Sequence, residues 1–206
     1  KLGKGEVRMD SGVREGDEIS MFYDPMIAKL ITWGKDRDTA LDTQAEALDR
    51  FYIEGIQDNI PFIAAVMDEK RFRSGNITTA YIKDEFPEGF HGVEPTKLQE
   101  TQLIASAAYV HGFMSRRAQL VTGRMSPVPE ARQDWVVILG DKHHPVHLEL
   151  GEDGDAQITI NGGKPHTLVT AWEPGQHLIE GVLDGKSFAV KFADRTEGYL
   201  FRHRGV

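Results

Sequence analysis

The sequence predicts an α+β chain: a mixed strand and helix region, then an antiparallel β-barrel wrapped around one long central α-helix. Three observations carry this. The first 90 residues change repeatedly between strand-like and helix-like spacing of apolar residues. From Leu103 to Met114 a single helical stretch is apolar at almost every angle, so it must be buried all round. After Asp134 the helical signal stops and seven short alternating segments follow, at 135–139, 145–150, 156–160, 166–171, 177–183, 186–192 and 198–203. A curled sheet encloses such a helix: twelve helical residues run about 18 Å, close to the roughly 17–20 Å of a common strand.

Taken in order, residues 6–33 read as extended structure. Val7 and Met9, then Ile19, Met21 and Tyr23, alternate with polar residues around a turn at Arg14-Glu15-Gly16-Asp17, which predicts a hairpin, and Met26–Trp33 reads as a buried strand. Leu41, Ala45, Leu48 and Tyr52 trace one face of a helix with Gly55 as its stop. Asn59 is placed to cap a second helix with Pro61 in its first turn, and Thr78 or Thr79 to open a third that ends before Pro87. The Gly- and Pro-rich stretch from Phe86 to Lys97 breaks both periodicities and sets a boundary between a domain at 1–96 and another at 97–206. The second divides into a helix at 97–120, a connection at 121–134 and the barrel at 135–206. Its strands are separated by turn signals such as Asp153-Gly154, Asn161-Gly162-Gly163 and Asp184-Gly185.

Composition narrows the function classes. With 40% apolar and 27% charged residues, the chain has the make-up of an ordinary globular protein. It lacks cysteine, which excludes disulfides and thiolate metal sites and fits a reducing compartment, the cytoplasm or alternatively a mitochondrial matrix. No apolar run is long enough to span a membrane, and no signal-peptide pattern opens the chain. The net charge of -8 falls almost wholly on residues 1–100, with 13 Lys and Arg against 20 Asp and Glu; residues 101–206 hold 11 against 12. That sign disfavours nucleic acid as a partner. His143, His144 and His147 crowd together, but Pro145 forbids the helix that would align two of them, so no metal site is expected.

Two stretches carry a resemblance. Val7-Arg8-Met9-Asp10-Ser11-Gly12-Val13-Arg14-Glu15-Gly16, followed by Phe22-Tyr23-Asp24-Pro25-Met26-Ile27-Ala28-Lys29-Leu30, is similar to the end of biotin carboxylases. Ile53-Glu54-Gly55-Ile56-Gln57-Asp58-Asn59-Ile60-Pro61-Phe62 resembles their Gly-x-x-x-Asn-hydrophobic-Pro stretch. The helix and barrel beyond the Phe86-Pro87-Glu88-Gly89-Phe90 linker resemble the BT domain of propionyl-CoA carboxylase α subunits, which joins the biotin carboxylase to the carboxyltransferase β subunit.

The resemblance implies a parent enzyme of the ligase class. It would use ATP with Mg and bicarbonate to carboxylate biotin, then pass the carboxyl group to propionyl-CoA to give methylmalonyl-CoA. Its partners would be the β subunit and the biotin carboxyl carrier domain of the same subunit. Arg8 matches the family's arginine that faces biotin, where a cation that never titrates holds bicarbonate and stabilises the biotin enolate. Read without the resemblance, Arg8 is a strand residue facing water. The connection at 121–134 matches a hook that grips β, with Arg124, Met125, Pro127, Val128, Pro129 and Arg132 as its contacts. The bland alternative is a plain connecting loop, although loops of that length without structure of their own are uncommon unless functional.

The sequence shows neither a phosphate-binding loop with lysine nor Met-Lys-Met for biotin attachment, so no cofactor is expected on this chain alone and the isolated chain is expected to be inactive. The family's barrel has eight strands against seven countable here, which implies an unpaired edge. Two alternatives stay open: the α subunit of another acyl-CoA carboxylase, such as the methylcrotonyl-CoA enzyme, and a small-ligand-binding β-barrel.

Overall fold

The computed structural model describes residues 5–14, 16–19, 22, 26–53, 55–120, 122–123, 125–128, 130–151 and 154–206. The chain divides into two compact units, Lys1–Val93 with Gly205 and Glu94–Arg204 with Val206.

In the first unit, strands β1 (Glu6–Ser11) and β2 (Ala28–Trp33) pair antiparallel, with Arg8 opposite Ile31 and Asp10 opposite Lys29. Helix α1 (Arg37–Arg50) follows a tight turn in which Asp36 caps the Thr39 N–H at 2.8 Å. Gly34 is required there, because a Cβ would stand 2.5 Å from the Ala40 nitrogen. Then come α2 (Ile60–Asp68), α3 (Lys70–Ser74) and α4 (Tyr81–Glu85). Leu41, Ala45 and Leu48 of α1 meet Ile60, Ala64, Val66 and Met67 of α2 and Tyr81 of α4 in one core, with Leu30 of β2 packed against it.

Four details differ from the sequence expectation. The hairpin predicted around Arg14–Asp17 is replaced by direct β1–β2 pairing. A local turn does form, the Asp17 N–H donating to the Arg14 carbonyl at 3.0 Å. Of the expected returning strand, residues 20, 21 and 23 lie outside the described residues, and Ile19 and Phe22 are exposed. A five-residue alternation fixes no partner; the longer apolar run at 28–33 wins because its Leu30 face has a core to meet. That run is itself only half-buried, and Trp33 is 61% exposed, because the two-stranded sheet meets helix on one face.

Helix α1 stops at Arg50, well before Gly55, since Phe51 takes extended backbone and both Phe51 and Ile53 pack on the core. At the next helix the Ile60 N–H is accepted by Asp58 at 2.9 Å and not by the Asn59 side chain.

The second unit begins with α5 (Lys97–Gln119), opened by a reciprocal capping box between Thr96 and Gln99. Seven antiparallel strands follow in simple up-and-down order: β3 (Asp134–Leu139), β4 (Lys142–Leu150), β5 (Asp155–Ile160), β6 (Pro165–Thr170), β7 (Leu178–Leu183), β8 (Lys186–Arg195) and β9 (Gly198–Arg202). The two-residue turn Asp184-Gly185 between β7 and β8 has positive φ at both central residues, the backbone of a favoured hairpin turn.

The sheet curls around α5, and its inward residues Leu148, Ile158, Leu168, Ile179, Leu183 and Val190 close on Leu103, Ile104, Tyr109 and Val110 of the helix. Helix residues 102–110 are buried except Ala107, which is half-buried. The expected α+β class, with a barrel-like sheet around a central helix, holds. Among the described residues β3 and β9 remain unpaired edges.

Candidate functional site

Arg8 projects from β1 with its side chain 70% exposed. Its Nε and Nη2 hold the two carboxylate oxygens of Asp10 at 3.0 and 3.2 Å, a fork made possible because residues i and i+2 of a strand share a face. Asp10 was the second sequence-readable partner, two positions from Arg8, and sequence reasoning passed over it. A guanidinium has five N–H donors, and this fork leaves donors of the same planar group for an anionic oxygen in front of the strand.

Of the residues expected in the connection at 121–134, Arg124 and Pro129 lie outside the described residues. Met125 is fully exposed, Val128 is 54% exposed, and Pro127 is exposed beside it. Arg132 differs in kind. Its guanidinium lies 4.7 Å from the centre of the Trp135 ring, its Nε donates to the Asp134 carbonyl at 2.8 Å, and its own carbonyl accepts from the Trp135 indole at 3.2 Å. Arg132 therefore anchors the returning limb to β3, while the apolar side chains at 125–128 stand in solvent.

The three histidines do not come together. His143 is exposed, His144 is buried with Nδ1 facing the Asn161 amide at 3.3 Å, and His147 bonds Asp134 at 2.8 Å. The Asp134 hydrogen bond is the main cause holding His147 above its ordinary pKa. Among the described residues no group of three His, Asp or Glu is arranged to hold a metal. The barrel interior, where a ligand-carrying barrel keeps its cargo, is filled by α5 and by the rings of Tyr109, Phe113, Trp172 and Phe192 at 5.7–6.4 Å centre to centre. No described helix is long and apolar enough to cross a membrane.

The chain has two parts, a strand-and-helix unit and then an antiparallel sheet curled around its own helix, and comparison with known proteins is specific in both. Residues 2–84 match the biotin carboxylase C-terminal domain, and residues 103–206 match the propionyl-coenzyme A carboxylase BT domain. The chain belongs to the propionyl-coenzyme A carboxylase BT domain family.

It is 40% identical over 205 residues to a propionyl-CoA carboxylase alpha chain of Ruegeria pomeroyi, covering 99% of this chain and 30% of that one. It is 46% identical over 208 residues to the mitochondrial propionyl-CoA carboxylase alpha chain of Caenorhabditis elegans, covering 94% and 29%. A mitochondrial methylcrotonoyl-CoA carboxylase subunit alpha of Glycine max is more distant, 29% over 198 residues, covering 90% and 27%. The chain thus spans 30% or less of the length of these relatives.

Proposed function

We propose that this chain is the stretch of a propionyl-CoA carboxylase α subunit that completes the biotin carboxylase and docks the carboxyltransferase β subunit. The observation that carries the reading is the encased α5: a barrel with its lumen filled by its own helix has outer surface and loops to offer, and no internal binding site. The connection at 121–134, with Met125, Pro127 and Val128 presented to solvent and Arg132 fixing its root, supports a docking hook. Arg124 and Pro129 are assigned to the same hook on sequence grounds. The propionyl-CoA reading is preferred over the methylcrotonyl-CoA one because relatives of the first kind are nearer in sequence.

Biotin and ATP with Mg would serve the parent enzyme, in the cytoplasm or a mitochondrial matrix, and the carrier domain of the same subunit would bring biotin to the first unit. When bound, biotin supplies the nitrogen that accepts the carboxyl group. The contribution of this chain is Arg8, a permanent cation on a paired strand whose donors fit an anionic oxygen. Such a group holds bicarbonate in place and stabilises charge as it develops on the ring oxygen. Asp10 fixes the plane of the guanidinium in advance, which limits the entropy lost on binding.

The test is capture of the β subunit by the full-length subunit, with residues 123–132 either native or replaced by a Gly and Ser linker. Loss of β with unchanged circular dichroism supports the hook, and capture of parental strength overturns it.

A further inference from the structure

Residues 130–133 lead into the second sheet at β3, an edge strand among the described residues, so the start of that strand is held by β4 alone. Three titratable side chains meet there. Asp134, the first residue of β3, lies directly opposite His147 of β4, and Glu149 stands two positions further along β4 on the same outer face. His147 Nδ1 is 2.8 Å from an Asp134 carboxylate oxygen, and its Nε2 is 3.4 Å from a Glu149 carboxylate oxygen. One imidazole therefore spans two carboxylates, one across the strand pair and one along its own strand.

Both ring nitrogens donate only in the imidazolium form; the neutral ring has one N–H to share between two acceptors. Protonated, His147 serves Asp134 and Glu149 together through charge-assisted hydrogen bonds, which are about twice as strong as neutral ones. Deprotonated, it turns a lone pair toward one carboxylate, and Glu149 competes with Asp134 for the remaining proton. We propose that His147 is a pH-operated latch on the start of β3, closed on Asp134 as an imidazolium and loosened as the ring loses its proton.

The other holds on this limb keep their charge state near neutral pH. The Gln133 carbonyl accepts the Leu148 N–H at 2.8 Å, and Arg132 stays cationic over Trp135 with its Nε on the Asp134 carbonyl. On the far side of β4, Thr159 and Gln157 of β5 stand opposite His147 and Glu149, and neither titrates. Asp134 and Glu149 are thus the charges that face the ring from the strands beside it, with Arg132 next along the limb. The Asp134 hydrogen bond holds His147 above its ordinary 6.5. A group raised in this way contributes fully below its unfolded pKa and loses its contribution as pH rises through the folded one, so the latch opens on the alkaline side. The pair is exposed, which confines the effect to opening of the strand end and spares the sheet as a whole. The latch operates whether or not residues 121–134 dock the β subunit.

The experiment follows amide hydrogen exchange by mass spectrometry in the full-length subunit, between about pH 6 and about pH 8.5, the range in which histidine changes charge. Each rate is divided by the intrinsic rate at that pH. The reporter is the Leu148 amide, whose partner is the Gln133 carbonyl of the limb, and the amides between β7 and β8 serve as control. Leu148 protection is expected to fall about twofold to fivefold across the range, the size of an exposed ion pair, while the control amides hold steady.

His147→Gln cannot change charge, and Asp134→Asn removes the carboxylate on Nδ1; both positions are exposed, so circular dichroism should stay parental. In each variant Leu148 protection should no longer depend on pH. Asp134→Asn should also lower the pH at which His147 titrates, read from deuterium exchange at its Cε1–H, a shift that a contact without proton coupling would not produce. Flat Leu148 protection in the parent overturns the proposal. So does a fall of parental size that persists in either variant, or a His147 titration unmoved by Asp134→Asn.

Discussion

Gly112 of α5 faces Leu148 of β4 so closely that a Cβ on the glycine would overlap the Leu148 Cδ2 atom. Leu148 is 2% exposed and belongs to the core around α5, so a side chain at position 112 would have to displace its terminal methyl within packed surroundings.

Gly112→Val is therefore expected to destabilise the second unit by about 1–3 kcal/mol, the usual cost of overpacking. Pairing it with Leu148→Ala makes room and should recover part of the loss, so the double-mutant cycle reads a favourable coupling. Thermal melting followed by Trp135 and Trp172 fluorescence checks this, both tryptophans belonging to the second unit. Additive losses would mean that the two residues do not press on each other.

Ala105 is 0% exposed and sits in the middle of the encased helix. Ala105→Arg forces an unpaired charge into that core, at a cost of several kcal/mol, against a total stability of about 5–15. The second unit should unfold, read as loss of the Trp135 and Trp172 signal in a chain that otherwise expresses. A parental melting curve would place α5 outside the barrel.

Glu69 caps α3 through the Arg71 and Phe72 N–H groups at 3.0 and 2.8 Å and accepts the Tyr81 hydroxyl at 3.1 Å. Burial works to raise its pKa, but those hydrogen bonds together hold it below its ordinary value. Burial and the Glu69 contact push Tyr81 up to about 12. A carboxylate depressed on folding stabilises above its unfolded pKa and ceases to do so as pH falls through the folded one. A phenol raised on folding makes stability fall as pH climbs above its ordinary 10.0 toward about 12. The first unit should lose stability at both ends of the pH scale, and Glu69→Gln should remove the acid-side loss. An unchanged acid limb in that variant would show that Glu69 does not couple to folding.

Much of this fold was legible because its signals are periodic. The strand segments after Asp134 and the all-round apolar stretch of α5 each reflect burial that the sequence has to satisfy residue by residue. Even the start of α5 carried an unused signal, the Thr96-x-x-Gln99 spacing of a capping box. The failures lie where pairing is chosen by tertiary contact. Nothing in Ile19, Met21 and Tyr23 says that β1 will pair with residues 28–33 instead, since strand alternation names a face and not a neighbour.

The candidate arginines divide in the same way. Arg8 was found by motif, while its fork to Asp10 depends on β geometry. The cation–π anchor of Arg132 on Trp135 required knowing that β3 begins at Asp134.

The Arg8–Asp10 fork supports the final prediction, made for the full-length subunit. If Arg8 holds an anionic oxygen during carboxylation of biotin, Arg8→Ala should lower that rate by about 10² to 10³, the range for one charge-stabilising group. ATP affinity should change little, because this chain supplies no phosphate loop. Arg8→Lys should fail to restore the rate, since an ammonium keeps the charge but loses the planar fork. Asp10→Asn tests positioning separately: the carboxylate is exposed and contributes little to stability, so melting should stay parental while bicarbonate KM rises. If Asp10→Asn leaves KM unchanged while Arg8→Ala is crippled, the fork is a surface ion pair beside a working arginine; if Arg8→Ala keeps full activity, Arg8 leaves the site altogether.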